Sequence, residues 1–185
     1  MLSDLFLKTS EQKILGLFAR NPGKAFYARE ISRLLMISVG AAHQALLVLE
    51  KADLLSSQTV GKTKLFRFEA PDPLAKSLRI FITILTLDPL VADLRGAARR
   101  IVLYGSYAAG SFSEDSDLDL LVLTSEKETA AQKINAFARK TDLDIRPLIM
   151  NQVEWMHLEK TDSVFLGELG HGFVLWEKPV DESGF

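Results

Sequence analysis

Hydrophobic residues in the first part of the chain recur at helical spacing in three segments. These segments begin near Ser10, at Ala28 and after Ser38. Thr9 or Ser10 is expected to cap the first helix and Ser38 the third, because their hydroxyls can accept from free N–H groups at a helix start. The positions expected to be buried are Ile14, Leu15, Leu17, Phe18, Ile31, Leu34, Leu35, Val39, Ala42, Leu46 and Leu49. The pattern predicts three amphipathic helices.

A period of two replaces the helical spacing after the third segment. Residues 54–60 and 63–69 predict two strands joined across Gly61-Lys62, and Ala25-Phe26-Tyr27 predicts a short extended piece. The resulting order is helix, short strand, helix, turn, helix, hairpin. With the stretches S-V-G, H-Q-A-L and L-E-K-A-D-L-L, residues 11–69 resemble the winged helix–turn–helix family.

This resemblance implies that the third helix enters the major groove of DNA while the hairpin touches phosphate. The candidate DNA contacts are Ser38, His43, Gln44, Lys62, Lys64 and Arg67. Lys and Arg can neutralise phosphates, and Gln44 can read an adenine edge. The helix also presents Leu47 and Val48, and its basic residue Lys51 lies at the far end. Protein docking or dimerisation therefore stands as an alternative use of this domain.

Residues 71–97 are expected to form a helical connector. Two prolines in the sequence Ala70-Pro71-Asp72-Pro73 interrupt the preceding hairpin. Residues 74–87 predict one helix, and Asp88-Pro89 predicts the start of another that ends near Arg95. The apolar run IFITILTL is far shorter than the roughly 20 residues that cross a bilayer. Without a signal-like start, the sequence predicts a cytoplasmic protein without a membrane span. The run suits packing between domains or a homodimer interface.

Strand-like and helical runs alternate from residue 98 onward. Residues 100–104, 120–123, 143–149 and 173–176 predict strands, and residues 126–140 predict a helix. The order fits a mixed sheet with flanking helices. The predicted fold class is therefore α+β with two domains: residues 1–70, and residues 98–185 after the connector.

Polar residues gather where the first of these strands ends. Gly105 and Ser106 follow the strand directly, and Asp117 and Asp119 stand at the head of the next one. Carboxylates at i and i+2 of a strand point to the same side, so four oxygens surround one point, which suits a hard cation such as Mg²⁺. Gly105 allows a ligand to approach the backbone, while the Ser106 hydroxyl and neighbouring N–H groups can hold a phosphate.

The segment GSYAAGSFSEDSDLDLLVL resembles the nucleotidyltransferase superfamily related to DNA polymerase β, with its motif G-S-x(10)-D-x-D and a third acidic residue on a later strand. Asp144 matches that third residue, and Asp142 is the alternative on the same predicted strand. The resemblance covers about residues 98–178, and their small number matches the minimal nucleotidyltransferase branch. It implies a set of catalytic and metal-binding carboxylates, namely Asp117, Asp119 and Asp144. It also implies a nucleotide-binding set, namely Gly105, Ser106 and Ser116.

The implied reaction transfers a nucleotide, AMP by expectation, from ATP or another nucleoside triphosphate to a hydroxyl, with two Mg²⁺ ions. Minimal nucleotidyltransferases commonly act with a HEPN-type partner in toxin–antitoxin pairs, where the acceptor is a hydroxyl of the partner protein. The family often reads G-S-x-A-R-G, whereas this chain has Ala109 at the arginine position. A transcriptional regulator whose degenerate second domain only senses nucleotide is therefore the alternative.

Composition excludes some kinds of site and shows that charge is divided unevenly between the two parts of the chain. The 185 residues contain no cysteine, which excludes disulfides, a thiol nucleophile and thiolate metal sites. The net charge of −2 is the sum of +4 over residues 1–70 and −6 over residues 71–185. The basic part is compatible with DNA contact, and cations at the three carboxylates would cancel part of the acidic excess.

Overall fold

The computed structural model describes residues 2–69 and 72–179, which divide into two units. The first unit comprises the residues up to Thr86 together with Phe112–Asp115, and the second comprises Leu87–Ser111 and the residues from Ser116 onward. The sequence Ala70-Pro71, where the hairpin is predicted to be interrupted, lies outside the described residues.

The first unit has the order of elements that the sequence predicts, preceded by a short helix that the sequence analysis does not predict. Its elements are α1 (Leu2–Phe6), α2 (Ser10–Arg20), β1 (Phe26–Tyr27), α3 (Ala28–Leu35), α4 (Val39–Lys51), β2 (Leu55–Val60) and β3 (Thr63–Phe68). The three strands form an antiparallel sheet in the order β1-β3-β2. Thr9 and Gln12 form a capping box at the start of α2, and the Ser38 hydroxyl accepts from the backbone N–H of Ala41 at the start of α4. This is a winged helix–turn–helix. Helix α4 is the third of the helices that the sequence predicts, and β2 and β3 form the wing.

Most of the positions expected to be buried in this unit are buried or half-buried, and two are not. Val39 is 46% exposed and Leu34 is 55% exposed, so the prediction that both are buried is wrong. Val39 is the first residue of α4, and the buried residues of this helix, Ala42, Ala45, Leu46 and Leu49, lie further along it. Leu34 lies about a quarter turn from the face of α3 that Ile31 and Leu35 present to the core.

The connector is one helix rather than two. Helix α5 runs from Asp72 to Leu94 and continues through Pro89, so the predicted break at Asp88-Pro89 is wrong. Proline removes one backbone donor from a helix. Apolar side chains on both sides of it, including Leu87 and Leu90, are nevertheless buried at 0% and 2% exposure. The burial of apolar side chains before and after Pro89 outweighs the backbone hydrogen bond that the proline cannot make.

The apolar run at residues 80–87 lies within α5, where Ile82, Leu85 and Leu87 are buried in the fold. Over the described ranges 2–69 and 72–179, no single helix combines the length and apolarity needed to cross a membrane. Helices α3 and α4 meet that condition only as a pair bent by 114°.

The second unit is a mixed sheet between two layers of helices. Besides the end of α5, its elements are β4 (Ala98–Tyr104), α6 (Gly105–Ala109), β5 (Leu118–Thr124), α7 (Lys127–Thr141), β6 (Ile145–Met150), α8 (Gln152–Thr161), α9 (Ser163–Gly170) and β7 (Phe173–Glu177). The sheet order is β6-β5-β4-β7, with β5 and β6 parallel and the other pairs antiparallel. The core on one face includes residues of α5, α6 and α7, and the core on the other includes residues of α8 and α9. The chain is therefore α+β, as the sequence predicts.

We expect Leu46→Ala to destabilise the first unit by about 2–5 kcal/mol, because Leu46 is fully buried and its truncation leaves a cavity. The neighbouring Leu47 is 37% exposed, so Leu47→Ala should cost less than about 1 kcal/mol. Urea unfolding of both variants followed by circular dichroism tests the difference. Equal losses in the two variants would contradict the assigned core.

Candidate functional site

The strand end that carries the sequence motif presents its polar side chains on one face of the sheet. Asp117 directly precedes β5 and Asp119 is its second residue, while Leu118 between them is buried on the opposite face. In the register of the sheet, Asp119 pairs with Tyr104 of β4 and with Arg146 of β6. Paired residues share a face of a sheet, so these three side chains lie side by side.

Asp144 lies at the same end of the sheet. Its carbonyl accepts from the backbone N–H of Leu118 at 2.8 Å, and it directly precedes β6, two residues before Arg146. The side chain is exposed. Asp142 is instead the C-cap of α7, with φ of 54°, and the prediction that it lies on a strand is wrong. Helix α7 ends at Thr141, one residue beyond the predicted end, and Asp142 follows it as the cap.

Gly105 lies directly against the Asp119 carboxylate. Its φ of +68° is a conformation that side chains disfavour, and a Cβ here would overlap the Asp119 carboxylate oxygen. Gly105 and the half-buried Ser106 begin α6 immediately after β4, as the sequence predicts. Gly110, with φ of 66°, ends this short helix and donates to the carbonyl of Ser106. The turn and the carboxylate therefore meet at one point.

Ser116 and Ala109 are the two remaining positions of the sequence motif. Ser116 is half-buried and directly precedes Asp117. Ala109, where the family often has arginine, is exposed at the end of α6.

Arg146 is a site residue that the sequence analysis missed. Its guanidinium forms an ion pair with the Asp117 carboxylate, and its own side chain is 71% exposed. Its place two residues after Asp144 on an alternating strand is the signal that could have identified it. Burial raises the pKa of Asp119, and the charges of Asp117 and Glu168 raise it further, while Arg146 lowers it. Arg146 thus partly balances a concentration of negative charge.

Helix α9 brings a further acidic residue to the site. The Phe165 ring packs edge-on against Tyr104 at a centroid distance of 5.5 Å. Glu168 follows Phe165 by about one helical turn and therefore shares its face. Burial raises the pKa of Tyr104, and the charges of Asp119 and Glu168 add to that effect. Nothing in the sequence motif indicated Glu168, because only the packing of α9 brings it here.

The donor chemistry of Asp117 and Asp119 fits a hard divalent cation. Both offer carboxylate oxygens on one face, and the raised pKa of Asp119 reflects a cost of burial and repulsion that a bound cation would relieve. Among the residues that the structure describes, no three histidine or acidic side chains gather closely enough to hold one ion together. The pair therefore fits such an ion, and Asp144 stands beside the pair rather than in a common cluster with it.

The candidate DNA contacts of the winged helix–turn–helix lie on α4 and the wing. A cleft of about 760 Å³ brings His43, Lys62 and Lys64 together with Arg29, which the sequence analysis missed. The Lys64 ammonium, however, forms an ion pair with Glu50 at 2.8 Å. The other three candidates, Ser38, Gln44 and Arg67, are exposed, and the Ser38 hydroxyl serves as the cap of α4.

The sequence profile described as "Nucleotidyltransferase domain" matches residues 90–168, which include the glycine-serine turn and all three aspartates. The match covers less than half of the chain. The chain thus combines a winged helix–turn–helix with a segment, residues 90–168, that is similar to nucleotidyltransferase domains.

Two similar proteins come from Methanocaldococcus jannaschii and are named as candidate protein adenylyltransferases. MJ0141 is 36% identical over 62 residues, which are 30% of this chain and 63% of that protein. MJ0604 is 40% identical over 37 residues, which are 20% of this chain and 37% of that protein. The chain thus spans less than two thirds of the length of either relative.

Among solved structures, one described as a toxin–antitoxin with AMP-PNP is 24% identical, with a TM-score of 0.35. The match covers 51% of this chain and 73% of that one. A likeness this weak says nothing about what this chain binds.

We expect Gly105→Ala to destabilise the second unit by at least about 1 kcal/mol, because the left-handed conformation is strained for alanine and the new Cβ overlaps Asp119. Gly96→Ala is the matched control, because among the described residues nothing lies within 4 Å of a Cβ there. Urea unfolding followed by the fluorescence of Trp155 and Trp176 measures both variants. Equal stability of Gly105→Ala and wild type would contradict the close approach of Asp119.

Proposed function

We propose that this protein is a nucleotidyltransferase that transfers AMP from ATP to a hydroxyl group of a partner protein. The observation that carries the proposal is the contact of the Asp119 carboxylate with Gly105, in a segment that is similar to nucleotidyltransferase domains. It brings a turn that can bind phosphate against carboxylates that can bind a cation. The geometry suits an enzyme that acts on a nucleoside triphosphate.

In this proposal the Ser106 hydroxyl and the backbone N–H groups at the start of α6 bind the β- and γ-phosphates. Gly105 presents backbone alone, so the phosphates can approach closely. The acceptor oxygen attacks the α-phosphorus in line, the bond from that phosphorus to the bridging oxygen breaks, and pyrophosphate leaves. Positioning and charge complementarity supply most of the rate enhancement.

Asp117 and Asp119 would hold Mg²⁺, and the resemblance to the family assigns Asp144, which lies at the same end of the sheet, as the third carboxylate. Bound there, Mg²⁺ supplies neutralisation of phosphate charge and a lower pKa for the acceptor hydroxyl. Arg146 would have to release Asp117 for both oxygens of that carboxylate to be available, and its exposed side chain leaves it room to do so.

A protein acceptor is supported by the names of the two relatives as protein adenylyltransferases. The resemblance to minimal nucleotidyltransferases adds a more specific expectation, a HEPN-type partner of a toxin–antitoxin pair. The winged helix–turn–helix would then bind DNA through His43, Lys62 and Arg29, which line one cleft. A second candidate function, nucleotide sensing without transfer, is favoured by Ala109 in place of the family's arginine.

We expect Asp119→Asn and Asp117→Asn each to lower transfer of labelled AMP from ATP by at least about 10²-fold, since each removes charge that would hold the cation. The assay uses the purified protein with Mg²⁺ and a candidate partner. Asp142→Asn is the matched control, because Asp142 is an exposed helix cap whose left-handed conformation asparagine tolerates.

Two results would contradict this assignment in different ways. Full activity of either aspartate variant would exclude the proposed site. Saturable ATP binding by the wild-type protein without transfer to any partner would favour the sensor.

We expect Lys62→Ala to weaken binding of duplex DNA and to reduce the slope of log affinity against log salt by about 1, because one phosphate contact is lost. Lys64→Ala should change the slope less, since Lys64 already pairs with Glu50. Fluorescence anisotropy over a salt series, with DNA from upstream of the protein's own coding sequence, measures both. Lys140→Ala in α7 is the control, and an unchanged slope for Lys62→Ala would exclude this wing contact.

A further inference from the structure

Arg146 lies on the same face of the sheet as the Asp119 carboxylate. The two residues pair in the register of β5 and β6, and the alternate residues Leu121 and Leu148 share one core on that face. On its other side Asp119 pairs with Tyr104, the last residue before the glycine-serine turn. That turn and Arg146 therefore flank Asp119 from the two neighbouring strands, entirely within the second unit.

The Arg146 guanidinium already contacts one carboxylate of the site. It forms an ion pair with Asp117, whose side chain is 28% exposed, whereas that of Arg146 is 71% exposed. Burial raises the pKa of Asp119 and that of Tyr104, and the charge of Arg146 opposes both shifts. An ion pair with one partner this exposed contributes little free energy, so a stronger partner of either group can replace it.

Negative charge exceeds positive charge at this place. Asp117, Asp119 and Glu168 carry the negative charge, and Arg146 offsets it. In the ranges that the structure describes, no three acidic or histidine side chains gather closely enough to hold one ion together. Asp117 can hold either the guanidinium or a divalent cation, and a bound triphosphate adds negative charge beside it. Once released from Asp117, Arg146 faces an anion.

The chemistry of arginine suits a phosphate in this position. Neighbouring strands lie about 4.8 Å apart, so a polyphosphate that extends from the Ser106 turn past Asp119 comes beside Arg146. The planar guanidinium donates two parallel hydrogen bonds to phosphate oxygens, which a lysine ammonium cannot reproduce. Ala109, where the family often has arginine, offers no such donor.

We propose that Arg146 is a phosphate-binding residue of the nucleotide site, which exchanges Asp117 for the triphosphate when a nucleotide and its cation bind. The inference rests on the proposed function, and it assigns to Arg146 the phosphate contact that Ala109 cannot make. The same guanidinium thus has two partners with opposite consequences. Its ion pair with Asp117 opposes binding of a cation, whereas its bond to phosphate favours binding of the nucleotide.

Two binding measurements on the full-length protein test this inference. The first titrates Mn²⁺ alone and is followed by electron paramagnetic resonance. The second titrates a fluorescent, non-hydrolysable ATP analogue at saturating Mg²⁺. Arg146→Gln removes the guanidinium charge, and Arg146→Lys retains a charge without the planar fork. Arg139→Gln in α7, which packs on the other face of the sheet, makes the same change of charge as a control.

Arg146→Gln should change the two affinities in opposite directions. It should bind Mn²⁺ about two- to fivefold more tightly, because the weak ion pair no longer competes for Asp117. It should bind the analogue at least about tenfold more weakly, because a charge-assisted hydrogen bond to phosphate is lost. Arg146→Lys should lie between Arg146→Gln and wild type in both affinities, and Arg139→Gln should match wild type. The midpoint of urea unfolding should stay close to wild type in Arg146→Gln.

Opposite shifts are the decisive result, since a merely structural role would weaken both affinities. Wild-type or tighter binding of the analogue by Arg146→Gln overturns this inference alone, and so does weaker binding of Mn²⁺ by that variant. Absence of binding of Mn²⁺ or of the analogue by the wild-type protein overturns the proposed function together with it. Analogue binding that follows these expectations, without transfer of AMP to a partner, contradicts the proposed function alone.

Discussion

The contact between Gly105 and the Asp119 carboxylate is the constraint on which the rest of the site depends. Strands β4 and β5 pair Tyr104 with Asp119, so the residue after Tyr104 must turn sharply beside a charged side chain. Only a residue without Cβ can take the left-handed conformation there and leave the carboxylate in place. The start of α6 and the head of β5 are thereby held together.

The site also has to accommodate repulsion between its carboxylates. Asp117, Asp119 and Glu168 concentrate negative charge around a partly buried site, and the raised pKa of Asp119 records the cost. Arg146 offsets some of this charge through its ion pair with Asp117. Because the Arg146 side chain is largely exposed, solvent weakens this ion pair. A site built this way is suited to take up cations together with a polyphosphate, whose own charge they balance.

The sequence predicted those features that depend on neighbours along the chain. The strand, turn and strand around Gly105 and Asp119 follow from residues within one short segment, and helices α2, α3 and α4 follow from their spacing and caps. The break predicted at Asp88-Pro89 does not occur, because burial of apolar side chains before and after Pro89 outweighs one lost hydrogen bond. Glu168 was missed because its position depends on the packing of α9, which no local pattern encodes. Arg146 could have been identified from the alternation of its own strand, but its partner Asp117 depends on the pairing of β5 with β6.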